Sequence, residues 1–178
     1  VGLFSGLFTG ASVVISGYFG AQEHQKMHTA IHTTVAFGLL AGVVLSVVGV
    51  AVSPTLLRWI GTPESVFANS ALYFRIYFSG VVFVTLYNTA TGILQAVGDS
   101  KHPLYYLIIS SVTNVVLDLL FVAVFHMGVD GAALATVISQ AVSAVLGFIR
   151  LIRSNAIYRV EPKKVRLNGP MLAKVLHM

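Results

Sequence analysis

The chain has 178 residues, of which 56% are hydrophobic and only 10% charged, with a mean hydropathy of +0.85. A soluble domain carries roughly 25% charge, so a water-solvated globule is excluded and hydrocarbon is the solvent these residues fit. The chain has no cysteine, which excludes disulfides and thiolate metal sites, while its net charge of +5 calls for an acidic partner or a topological cause.

Taken in order, the first apolar stretch covers residues 1 to about 21 and ends in Gln22-Glu23-His24-Gln25-Lys26. The second covers about residues 31–52 without a charge. Ser53-Pro54 is expected to close it, with Arg58 and Trp59 as interfacial anchors before the turn Gly61-Thr62-Pro63-Glu64. The third covers about residues 68–97, with Arg75 near its start. After Gly98-Asp99-Ser100-Lys101-His102, Pro103 is placed as the first residue of the next helix. The fourth, about residues 104–127, carries one charge, Asp118. The fifth, about residues 132–152, follows Gly128-Val129-Asp130-Gly131.

Each stretch is near the ~20 residues that cross ~30 Å of hydrocarbon as a helix. Long uncharged runs do not fit the weak alternation of barrel strands. The expected fold class is therefore all-α: a polytopic transmembrane helix bundle of about five spans. Residues 1–153 form that bundle. Residues 154–178 read as a polar, basic linker, with room for a short amphipathic helix near residues 171–178. The start at Val1, with neither an initiator Met nor a signal-peptide pattern, reads as a piece of a longer protein.

Lysine and arginine placement sets the expected orientation. Lys26, Lys101, Arg150, Arg153 and the basic tail fall on one side, and Arg58 and Arg75 on the other. The first side is expected to be cytoplasmic in a cell membrane, which places the amino-terminal end outside. Topology thus accounts for the basic excess, and no nucleic-acid partner is expected. Membrane lipids are.

Asp118 is the sharpest chemical signal. A carboxylate inside an apolar span costs at least ~2.5–3.5 kcal/mol on insertion scales, so such a group faces a cavity or a partner. Asn114 lies one turn earlier on the same face, and Ser110 and Ser111 extend the stripe. A hydrogen-bonded packing cluster explains the Asn and Ser well and the carboxylate poorly. Asp118 lies ~14 Å below Met127 at the helical rise, a depth that Thr136 on the next span can share. The Thr136 hydroxyl can equally bond its own i−4 carbonyl. Asn88 and Thr91 share one face of the third span, with Tyr87 and Gln95 near it, and serve equally as packing or as cavity lining.

Other features have plainer readings. His24, His28 and His32 recur every four residues, a spacing that can hold zinc or nickel, but they flank a polar turn and no metal site is expected. Gly2, Gly6 and Gly10, and in part Gly38, Gly42 and Gly49, allow close helix contact. Asp130 is expected to cap the last helix, and Asp99 and Glu64 to be solvated in turns. Phosphate loop, nucleophile elbow and HExxH are all missing, so nothing argues for an enzyme.

The run from Tyr87 to Ser100 (YNTATGILQAVGDS) followed by Pro103 resembles the multidrug and toxic compound extrusion (MATE) antiporters. So do NVVLDLLF from Asn114, GVDGAALAT from Gly128 and GYFGA from Gly17. The resemblance covers nearly all of residues 1–153, in order. It implies the second to sixth helices of the amino-terminal lobe of a twelve-helix, two-lobe transporter. Asn114 and Asp118 match the family's fifth-helix Asn and Asp, Thr136 its sixth-helix Thr, and Tyr73 and Asn88 its fourth-helix positions. The implied function is cation-coupled efflux of small organic cationic or amphipathic substrates. No cofactor is implied beyond the coupling ion, Na⁺ or H⁺. Neutralised by that ion, Asp118 would let the helices repack and release substrate outward. The family's further acid lies on a first helix that this chain does not contain. A lipid-linked oligosaccharide flippase of the same superfamily and a small membrane scaffold subunit are the alternatives.

Overall fold

The computed structural model describes residues 2–154 and 156–176, with the side chains of residues 9–154 and 156–175. In chain order these form α1 (Gly2–Gly20), α2 (His24–Trp59), α3 (Glu64–Ser79), α4 (Val81–Ala96) and α5 (Lys101–Asp118). A π-helical segment (Leu119–Val124), α6 (Val129–Arg153), a 3₁₀ turn (Pro162–Lys164) and α7 (Gly169–Leu176) complete the chain. No strand occurs among the described residues. Four helical stretches among them are long and apolar enough to cross a membrane: α2, α3 with α4, α5 with the π segment, and α6. The fifth expected span is α1, 19 residues long, or ~28 Å at the helical rise. Gly2 and Gly6 of the expected amino-terminal glycine seam lie outside the described side chains.

Pro54 does not end the second span, because α2 runs on to Trp59. A proline has no N–H, so the Val50 carbonyl one turn earlier loses its helical donor. The buried Ser53 hydroxyl takes that place, donating to Val50 O at 2.9 Å. One side chain thus repairs the backbone, as a medium without water requires.

The third span is two helices rather than one, jointed at Gly80. The joint brings the Gly80 backbone so close to α6 that an added Cβ would lie 2.5 Å from Val137. It also frees the Val82 N–H, which donates to Ser46 Oγ on α2 at 3.1 Å.

Small residues set the packing of α2 on α4. A Cβ at Gly38 would collide with the Thr89 hydroxyl. One at Gly42 would collide with the Thr85 hydroxyl and lie 3.0 Å from the Val82 Cα. Gly49 packs equally closely on the Phe78 ring. The main core sits toward the end where Met27, Ile31, Ile93, Leu94 and Leu151 are all fully buried.

At that end the charges gather as their placement along the chain suggests. Asp99, expected to be solvated, is only 16% exposed. It accepts from the His102 backbone N–H at 3.3 Å and from His102 Nδ1 at 2.7 Å, and Arg150 Nη2 of α6 stands 3.6 Å away. Burial alone pushes this carboxyl up, but the His102 hydrogen bonds and the charges of His102 and Arg150 outweigh it. They hold the group below the ordinary Asp value. A depressed carboxyl contributes stability that is present above its unfolded value and lost as pH falls through the folded one. Asp99→Ala is expected to destabilise by about 2 kcal/mol, reduced from the cost of a fully buried pair because Arg150 is 37% exposed. Melting in detergent checks this, and the gap between parent and variant should begin to narrow below about pH 4 and close only as pH falls through the lower folded value.

Two smaller expectations are corrected. Pro103 is the third residue of α5, not the first, still within the first turn, where a missing N–H leaves no carbonyl unpaired. Asp130 is not the cap of α6. Gly128 holds that position and Asp130 lies in the first turn, where a carboxylate favours the helix dipole. Glu64 is exposed in the first turn of α3, as expected of a turn residue.

Residues 154–178 were expected to be a polar linker, yet the described part is docked. Val160 and Val175 are buried in the same core as α1 and α2. The Val160 N–H donates to Leu151 O at 3.0 Å, and Lys174 Nζ donates to the Tyr18 hydroxyl at 2.9 Å. Alternating apolar residues in a basic segment thus cover the base of the bundle.

Candidate functional site

The polar stripe of α5 divides into two parts. Ser110 is buried and its hydroxyl donates to the Ser139 carbonyl of α6 at 2.7 Å, which makes it packing glue. Further along the same face, the half-buried Asn114 and Asp118 behave differently. Asn114 Nδ2 and Asp118 Oδ1 are each buried without a hydrogen-bond partner among the described residues. Buried polar atoms are nearly always paired, so each orphan requires a cause. Here a donor-only nitrogen and an acceptor-only oxygen lie one turn apart, both unsatisfied.

Asp118 is also the last residue of α5 before the helix widens into the π segment Leu119–Val124. The widened turn is closed by Phe125 N–H to Leu120 O at 2.9 Å and Met127 N–H to Phe121 O at 2.8 Å. His126 adopts a left-handed φ of 53°. Gly131 permits this geometry, since a Cβ there would lie 2.7 Å from that of Met127. π turns inside α-helices appear frequently at functional sites, because they re-aim side chains.

The other candidates are less tightly joined. The Thr136 hydroxyl donates to its own Ala132 carbonyl at 3.0 Å, so its proton is committed to α6 and Asp118 Oδ1 receives none from it. Its oxygen lone pairs remain. Thr91 is half-buried on α4 and Asn88 is exposed there. Tyr73 of α3 stacks on Tyr77 at 6.2 Å. None of these three is hydrogen-bonded to Asp118. Two features went unread in the sequence: the π turn, and the aromatic row of Tyr73, Phe74, Tyr77 and Phe78. The i, i+4 aromatic spacing was a visible signal for the row.

The histidine row is used structurally. His28 and His32 rings stack at 5.9 Å. His32 Nδ1 faces the His28 carbonyl at 2.7 Å, and its Nε2 accepts the Glu161 N–H at 3.1 Å. Both ring nitrogens of His32 are therefore occupied.

Together these features define a multi-pass helical membrane protein, with an orphaned polar pair in one span. The family model for MatE matches residues 1–120, and the chain belongs to that family, whose members are transporters and not enzymes. Two Bacillus subtilis proteins, each described as a probable multidrug resistance protein, align with it. YoeA is 41% identical over 75% of this chain and 30% of its own length. YpnP is 33% identical over 83% of this chain and 33% of its own length. Among solved structures, an inward-facing multidrug resistance MATE family transporter superposes with a TM-score of 0.90 at 24% identity. It covers 98% of this chain and 40% of that one. A MATE protein in a bent conformation gives 0.91 at 23% identity, covering 98% of this chain and 39% of that one. The chain thus spans about a third of the length of the curated relatives it matches. Its fold is part of the twelve-helix, two-lobe architecture.

Proposed function

We propose that the intact protein is a cation-coupled antiporter that exports small organic cationic or amphipathic compounds, with Asp118 as its ion-responsive group. The observation that carries this reading is the buried, unpartnered oxygen of Asp118 one turn from the unpartnered amide of Asn114. A carboxylate so placed is stable in an apolar span when a proton or a sodium ion neutralises it. Either ion would complete the set: H⁺ gives the carboxyl a donor, and Na⁺ gains Asp118 and Thr136 oxygens as ligands. The Asn114 amide then holds the carboxyl in register. The helix changes from α to π at this residue, so ion occupancy acts at a break in the regular helical ladder. Asn88, Tyr73 and Thr91 line the substrate side, and no cofactor besides the ion takes part. The family relatives described as multidrug resistance proteins support the substrate class. Gathering of Lys26, Arg150 and the basic tail at one end supports a cytoplasmic tail in a cell membrane.

Reconstitution of the full-length transporter in proteoliposomes tests this. Under an imposed Na⁺ or H⁺ gradient, a fluorescent organic cation should move against the ion, and movement should stop when the gradient is dissipated. Dye movement indifferent to both gradients would overturn the proposal.

A further inference from the structure

Between the polar start of α2 and the docked tail lies an open pocket of ≈ 470 Å³, within the roughly 300–1,000 Å³ of ordinary ligand sites. The tail is held over it by a tautomer-specific bond. His32 Nδ1 lies 2.7 Å from the His28 carbonyl and must donate to it, so Nε2 is the acceptor for the Glu161 N–H at 3.1 Å. His32 is 5% exposed, so the acceptor end of this bond is fixed inside the bundle.

Donors dominate what faces the pocket. Lys164 and Arg166 line it, against one carboxylate, Glu161, which leaves one net positive charge from the tail. Glu161 is itself engaged by Lys164 Nζ at 3.0 Å. Asn168 Oδ1 accepts the Met171 N–H at 3.2 Å, so the end of Asn168 left for a ligand is its amide NH₂ donor. Thr33 supplies the independent sign of a missing ligand. It lines the pocket, is 0% exposed, and its hydroxyl has no hydrogen-bond partner among the described residues. Its neighbours Thr29 and Thr34 on the same helix bond their i−4 carbonyls at 3.0 and 2.8 Å. Thr33 does not, so its hydroxyl remains unsatisfied beside a cationic pocket.

We infer that this pocket binds a phosphate-bearing anion, held by Arg166, Lys164, Asn168 and the Thr33 hydroxyl. Its volume suits a phosphoglycerol group better than a bare phosphate. Its position suits a lipid headgroup, because α2 carries no charged residue from there until Arg58 and so enters hydrocarbon at this level. The basic segment around it draws anionic lipid toward the same place. A soluble phosphate ester presents the same chemistry.

The intact transporter, purified in detergent, is titrated with phosphatidylglycerol, with phosphatidylcholine, and separately with soluble glycerol 3-phosphate. Bound molecules are counted by native mass spectrometry. One phosphatidylglycerol is expected to be retained where phosphatidylcholine is not. Its affinity should fall about tenfold in Arg166→Gln, the loss of one charge-assisted hydrogen bond, and several-fold in Thr33→Val. Arg166 is exposed and valine matches threonine in shape, so both variants should keep the parent melting temperature. Retention of glycerol 3-phosphate with the same dependence on both residues would support the site and assign it to a soluble ester. Equal retention of the two lipids, unchanged binding in both variants, or a loss in Arg166→Gln alone would overturn it. The last pattern marks simple surface attraction.

Discussion

Asp118→Asn in the intact protein is expected, on the proposed ion coupling, to leave a folded, membrane-inserted protein whose gradient-driven export falls at least tenfold. The substitution keeps the shape of the side chain and removes its ability to change charge. Asp118 Oδ1 is buried and unpartnered, so its charged and neutral forms differ strongly in how well the span tolerates them. Insertion scales put the cost of an aspartate at the centre of a span at about 2.5–3.5 kcal/mol, which is the most that neutralising it can recover. Each 1.4 kcal/mol is a tenfold bias between two states, so on the proposed coupling an ion arriving at Asp118 can shift a conformational equilibrium by at most about a hundredfold. Asparagine holds the helix permanently in the neutral condition, and no gradient can then drive the change. The melting temperature should stay the same or rise, because the substitution removes a buried ionisable charge while keeping the side chain's shape. Export in proteoliposomes, measured beside melting, separates the two effects. Wild-type dependence of Asp118→Asn on the ion gradient would remove Asp118 from the coupling role. Asn114→Ala, which leaves the carboxylate ionisable, should cost less.

How far this was legible in the sequence depends on which interaction decided each feature. Hydropathy counts residues in hydrocarbon, and it located the spans, the turn at Asp99 and the charged residue at 118 without tertiary information. It could not see backbone repair. Pro54 reads as a stop, and only the Ser53 hydroxyl on the Val50 carbonyl lets α2 continue. Ser79-Gly80 is a pair that permits a kink, but the joint is seen only with its partners, Val137 of α6 and Ser46 of α2, both distant in sequence. The same holds for Asp99, solvated by its local sequence and paired by Arg150 of α6. The tail was read from its charges, while Val160 and Val175 decide its position. At the site, spacing put Asn114 and Asp118 on one face. The π turn that begins after Asp118 has no periodic signature, because it is one widened turn in a run of uniformly apolar residues.

The largest effect on stability is expected at Gly42. A Cβ there would collide with the Thr85 hydroxyl and stand 3.0 Å from the Val82 Cα. A side chain can turn aside, but the Val82 backbone cannot. Its N–H is fixed to Ser46 of α2, on the other side of the same contact. Gly42→Leu must therefore push α4 away from α2, opening the seam that continues past Gly38. Overpacking of this kind costs typically 1–3 kcal/mol and occasionally more, and the upper end applies because backbone is the obstacle. In a membrane, association of helices rests on close packing and not on expulsion of water, so no hydrophobic gain from the larger side chain compensates. Gly38→Ala offers the comparison. Its nearest obstacle is the Thr89 hydroxyl, with the Thr89 Cβ at an ordinary 3.4 Å, and a rotation of that side chain relieves it at the cost of one hydrogen bond, to Thr85 O at 2.8 Å. Gly42→Leu is expected to lower the melting temperature in detergent strongly and to deplete the protein from the membrane fraction, with Gly38→Ala lower by a much smaller margin. Equal melting of the two variants would mean that α2 and α4 yield as easily at backbone as at side chain. The glycine seam would then not be what sets their distance.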